Sequence, residues 1–84
     1  NIKEKWATFG WNVIEIDGHD IEQILNALDQ AKATKGQPTL IYANTIKGKG
    51  FAFAEGKAKY HNAAMTEEEY KMALETIEKA RKEV

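Results

Sequence analysis

The stretch WNVIEIDGHDIEQILNALDQAKATKGQPTLIYAN, residues 11–44, decides the fold. Its opening WNVIEI is a short β-prone run, and Asp17-Gly18 ends it as a turn. Asp20 is a good helix N-cap, with Gln23 three residues on in the place of a capping box. Ile21, Ile24, Leu25, Leu28 and Ala31 then recur at helical spacing. Lys32 and Lys35 suit the negative end of that helix. Gly36 is the natural stop, and Pro38 bars continuation. TLIYA, residues 39–43, is apolar without alternation, which predicts a strand covered on both faces, as in parallel sheets. Strand, helix and strand in this length make a βαβ unit, whose crossover the general rule makes right-handed. Two strands alone make a poor sheet, so the reading expects further strands in a longer parent chain or a partner.

Working outward, residues 1–9 look like the end of a helix. Trp6 and Phe9 share a face, and Gly10 follows as a stop. The abrupt start again suggests a piece of something larger. At the other end, Thr66 and Glu69 form a capping box for a terminal helix over about residues 66–83. Tyr70, Ala73, Leu74, Ile77 and Ala80 form its apolar stripe, which predicts a core face. Between strand and helix lies NTIKGKGFAFAEGKAKYHN, residues 44–62, which reads as a long loop. It holds half of the six glycines, together with Lys47, Lys49, Lys57, Lys59 and His61. Loops of this length inside compact domains are functional or disordered more often than short ones.

Composition narrows the classes. Lys and Arg total 12 against 13 for Asp and Glu, a net charge of −1, which argues against a dedicated nucleic-acid binder. Cysteine is absent, so disulfide and thiolate chemistry are excluded, and a reducing compartment is the simplest setting. No apolar run reaches membrane-spanning length. Two histidines far apart, with no cysteine, argue against structural zinc.

Ligands of open α/β sheets bind outside the carboxyl ends of the strands. That edge carries Asp17-Gly18-His19-Asp20 after one strand and Asn44-Thr45-Ile46-Lys47-Gly48 after the other. The phosphate motifs fail there. Gly50 and Gly56-Lys57 are one residue too far apart for a Walker loop, and Ala58 stands where a hydroxyl is needed. Phe53 occupies the place of a dinucleotide-fold glycine. Asp17 and Asp20 are accounted for by turn and cap rather than by metal ligation. Phe51, Phe53 and Tyr60 alternate with lysines, a pattern that either stacks on single-stranded nucleic acid or pins the loop to its own domain. His61 has no evident structural task and is suited to hydrogen-bond an anion or carry a proton.

GWNVIEIDGHDIEQILNAL, PTLIYANTIKGKG, and YHNA before TEEEY together resemble transketolase, above all the N-terminal subunit of split bacterial enzymes. Deoxyxylulose-5-phosphate synthase shares the IDGHD, GKG and YH elements and is the alternative, beside an autonomous anion- or nucleic-acid-binding module. The resemblance implies an α/β fold: a βαβ unit with flanking helices, within a three-layer thiamine-diphosphate-binding fold. The chain then corresponds to the C-terminal part of the diphosphate-binding domain. It implies transfer of a two-carbon ketol unit between sugar phosphates, thiamine diphosphate with Mg or Ca as cofactors, and a homodimer or heterotetramer with a pyrimidine-binding part. A cytoplasmic place in the pentose phosphate pathway follows from the same likeness, with neither nucleic acid nor membrane as partner. Ile46 falls where a family isoleucine packs on the cofactor. His61 falls where a family histidine contacts the diphosphate and the donor, which makes it the candidate catalytic residue. The family has His-Gly where this chain has His61-Asn62. Its Gly-Asp-Gly metal motif and activating glutamate are absent from these residues, so no metal ligand is assigned and the chain alone is expected to be inactive.

Overall fold

A computed structural model describes residues 1–83. Its elements run α1 (Ile2–Thr8), β1 (Asn12–Asp17), α2 (Ile21–Ala33), β2 (Thr39–Asn44), a 3-10 turn (Ala58–His61) and α3 (Glu67–Lys82). The chain divides into two compact units, Asn1–Thr45 and the residues from Ile46 onward.

The first unit is the βαβ unit with one extra helix. β1 and β2 pair in parallel, in register from Asn12 with Thr39 to Asp17 with Asn44. Helices flank both faces. Lys3 of α1 reaches Glu15 at 2.8 Å and lies over the Tyr42 ring, so α1 covers the face that carries Glu15 and its partner Tyr42. Asn12 points to the other face, where its Nδ2 donates to Thr34 Oγ1 at the end of α2 and to Thr39 Oγ1. Alternation along the strand puts Ile16 on that second face, and it is buried. The α/β fold with a parallel βαβ unit and flanking helices is therefore present.

Three details depart from the sequence reading. α2 stops at Ala33 rather than at Gly36. The Gln30 carbonyl accepts from both the Thr34 N–H and the Thr34 hydroxyl, and that hydroxyl in turn accepts from the Asn12 amide. Next, the α2 residue packed hardest is Ala27, 1% exposed, whereas Ile21, Leu25 and Leu28 are exposed. A small side chain lets the helix backbone approach the sheet. Finally, β2 is only half-buried over Thr39 to Tyr42, not covered on both faces. In a sheet of two strands each strand is an edge.

The second unit contains the loop, the 3-10 turn and α3. Thr66 Oγ1 accepts from Glu69 N and Glu69 Oε1 accepts from Thr66 N, a complete capping box. Glu67 and Glu68 stand at the positive end of the helix dipole. The stripe expected to be a core face is mostly open: Ala73 is buried, but Tyr70, Leu74 and Ile77 are about half exposed. No strand belongs to this unit among the described residues. No helix of the described residues is long and apolar enough to cross a membrane.

Candidate functional site

The parallel pairing brings both strand ends to one edge, because Asp17 and Asn44 are register partners. Gly18 is tight there. Its N–H donates to the Asn44 carbonyl at 2.8 Å, and a Cβ would stand 2.6 Å from Thr45 Cγ2. The acidic groups of the turn are engaged in local structure. Asp17 Oδ1 accepts from His19 N. Asp20 accepts from Gln23 N and from Gln23 Nε2, and Gln23 Oε1 in turn accepts from Asp17 N at 2.7 Å. The turn-and-cap account of Asp17 and Asp20 thus describes their hydrogen bonds. No three His, Cys, Asp or Glu side chains among the described residues are grouped to hold a metal ion.

One electrostatic pair borders this edge. Glu15 accepts from Lys3 and, through its other oxygen, from Asn44 Nδ2. The hydrogen bond from Lys3, followed by that from Asn44, holds the Glu15 carboxyl below the usual carboxylate range. The same bond raises Lys3 above the ordinary lysine value.

The loop that follows is folded on itself rather than extended. Lys49 N donates to the Ile46 carbonyl, Phe51 N to Gly48 and Ala54 N to Phe51. Gly56 N closes the loop on the Lys47 carbonyl at 2.8 Å. Gly48 permits this closure. Its φ is +75°, and a Cβ would lie 2.6 Å from the Ala54 carbonyl oxygen. The glycine therefore admits the chain's own backbone, not a phosphate. Ala54 is buried in consequence.

The aromatics pin the loop within its own unit. Phe51 stacks on Phe53, with centroids 5.7 Å apart, and Phe53 meets Tyr60 edge-on at 5.8 Å. Tyr60 donates its hydroxyl to Glu69 Oε2, the oxygen that the capping box leaves over. Accepting that bond, Glu69 favours the protonated phenol and pushes Tyr60 upward. The Thr66 N–H, and then Tyr60, hold Glu69 below the usual range. The sequence spells the capping box but not the use of its second oxygen, since that depends on where Tyr60 comes to rest.

Ile46 opens this unit and His61 ends its 3-10 turn. Ile46 is 46% exposed and His61 is exposed. Shallow concavities on α1, lined by Lys5, Trp6 and Phe9 and by Asn1, Glu4 and Thr8, include neither residue. An open aliphatic side chain and an accessible imidazole fit contacts to an aromatic, anionic cofactor. Among the described residues the carboxylates do not group into a cation site, and those of Asp17 and Asp20 are engaged locally.

Residues 1–80 match the family described as transketolase, thiamine diphosphate binding domain. A 6-deoxy-6-sulfo-D-fructose transketolase subunit from Clostridium sp. is 49% identical over 93% of this chain and 28% of its own length. An apulose-4-phosphate transketolase subunit from Phocaeicola vulgatus is 37% identical over 99% of this chain and 31% of its own length. A 1-deoxy-D-xylulose-5-phosphate synthase from Campylobacter jejuni is 60% identical, but over 55% of this chain and 8% of its own length. The chain thus spans less than a third of these relatives. With a match over nearly all its residues, and a parallel βαβ unit to carry it, the chain belongs to the transketolase thiamine diphosphate binding domain family.

Proposed function

We propose that these residues serve as the C-terminal part of the diphosphate-binding domain of a transketolase. The whole enzyme transfers a two-carbon ketol unit between sugar phosphates, and the 84 residues alone are inactive. The family match over residues 1–80 carries this reading. Its breadth also favours transketolase over deoxyxylulose-5-phosphate synthase, whose likeness is higher in identity but confined to a little over half the chain.

Bound thiamine diphosphate supplies the electron sink for breaking a bond next to a carbonyl. Within that chemistry Ile46 gives an apolar surface for the cofactor and excludes water from it. His61 donates a hydrogen bond to a diphosphate oxygen or to a donor hydroxyl, and orients the donor for cleavage. A divalent cation, Mg or Ca, is held by residues outside this chain, and no step is assigned through it here. The pyrimidine-binding part comes from another section or subunit, in keeping with the split relatives, which are themselves named as subunits. The assembly is a homodimer or a heterotetramer, and its place is the cytoplasm, in pentose phosphate metabolism.

The test is His61→Ala in the full protein that carries this chain, assayed for ketol transfer with thiamine diphosphate and magnesium. Donor kcat/KM should fall by about 10²-fold or more, the scale of one positioned proton-transfer or hydrogen-bonding group, while the thermal midpoint stays unchanged. Wild-type kinetics would reduce the loop to a connector.

A further inference from the structure

We propose that Tyr60, held by Glu69, is the positioning residue for His61. The inference rests on the reading of His61 as a donor- and diphosphate-contacting group and adds the device that aims it.

His61 is exposed at the last position of a four-residue 3-10 turn. Neither ion pair among the described residues involves its ring. A turn this short is weak by itself, since its hydrogen bonds are poorly aligned. The direction of the imidazole is therefore set by whatever fixes the backbone of the turn.

The residue before it supplies that hold. Tyr60 is half-buried beside exposed neighbours on both sides. Its N–H donates to the Lys57 carbonyl at 3.2 Å, inside the turn. Three further contacts fix its side chain. The ring meets Phe53 edge-on, and Phe53 is stacked on Phe51. Lys59 Nζ stands 5.0 Å from the ring centroid. The hydroxyl donates to Glu69, a carboxylate itself immobilised by the Thr66 N–H.

Glu69 thus has one oxygen on the helix cap and one on the turn. Both oxygens of the carboxylate accept, and the charge strengthens both bonds. The arrangement ties the His61 turn to the most regular element of its unit, and ties the aromatic loop to the same point. Misplacing a reacting group by about 1 Å can cost about 10²-fold in rate. Loosening a single anchor should cost less, because Phe53 and Lys59 still hold the ring.

Four forms of the full protein with its cofactor provide the test: Tyr60→Phe, Glu69→Gln, His61→Ala, and Tyr60→Phe combined with His61→Ala. Tyr60→Phe keeps the ring contacts and loses only the hydroxyl. Glu69→Gln keeps a capping-box side chain and replaces the charged acceptor of the Tyr60 hydroxyl with an amide –NH2, which can only donate to the phenol oxygen, a weaker neutral bond. Tyr60→Phe should lower donor kcat/KM about tenfold, chiefly through kcat, and Glu69→Gln by less, both short of the loss of about 10²-fold or more in His61→Ala. Thiamine diphosphate affinity, read from tryptophan fluorescence, should fall no further than it does in His61→Ala. In the His61→Ala background, Tyr60→Phe should have no further kinetic effect, since nothing remains to be aimed.

Two results overturn the inference while leaving His61 in its role: unaltered kinetics in Tyr60→Phe, or an equal loss with and without His61. The second would mark Tyr60 as a structural group only. Wild-type kinetics in His61→Ala would remove the functional reading itself, and the positioning role with it.

Discussion

At the scale of the residue, Gly48 and Gly50 look alike in sequence, and the structure separates them. Both have positive φ, but a Cβ at Gly48 runs into the Ala54 backbone while one at Gly50 meets open space. Gly48→Ala should therefore cost about 1–3 kcal/mol, the range for enforced backbone strain. Gly50→Ala should cost about 1 kcal/mol, for the left-handed conformation alone. Denaturant unfolding of the two variants checks the order; equal losses would contradict the close approach at Gly48. Lys3 and Glu15 give a pH-dependent prediction. The folded-state pKa of Glu15 is depressed, so its stabilising share is present above the unfolded carboxylate range and lost as pH falls through the folded value. Lys3 is raised, so its share is present below the unfolded lysine range and lost as pH rises through the folded value. Lys3→Met should lower stability near neutral pH and leave it unchanged in strong acid, where Glu15 is protonated. Unfolding measured at both pH values decides. The exposed setting of the pair keeps the effect small.

At the scale of the element, the N-termini of α2 and α3 were the most legible parts of the sequence. Asp20 and Thr66 stand at the N-caps of α2 and α3, because a side-chain acceptor before an apolar-periodic run is a purely local signal. Thr66→Ala should cost about 1 kcal/mol, measurable as a loss of helical ellipticity and of unfolding free energy. Serine at the same place should restore most of it. Other features were not legible for physical reasons. The Thr34 hydroxyl at the C-terminus of α2 accepts from Asn12, which is distant in sequence and arrives only with the sheet. The burial of Ala27 depends on which side of the apolar stripe the sheet meets. Periodicity marks a face as apolar but not as covered, so the stripe of α3 reads as a core face although Tyr70, Leu74 and Ile77 stand half open.

At the scale of the whole molecule, the buried apolar set among the described residues is small: Ile16, Ala27, Ala54 and Ala73, with no large side chain there fully enclosed. An 84-residue chain with so little core has slight hydrophobic surplus over its conformational entropy. The chain by itself should melt broadly when followed by circular dichroism, and a sharp transition above about 65 °C, the upper end for mesophilic domains, would contradict this. Mixing it with the complementary parts of the enzyme should restore ketol transfer that neither part shows alone. By itself the sequence determined the parallel βαβ unit, its turn and caps and the family, while Ile46 and His61 are candidates only through the family resemblance. These rest on local propensity, period and ordered motifs, which neighbours along the chain are enough to specify. Only the tertiary structure decided that Gly48 accommodates Ala54, that the aromatics stack on one another, and that Glu69 divides its two oxygens between a helix cap and Tyr60. Each of those is a contact between separated residues, fixed by the geometry of the fold rather than by the identity of either partner.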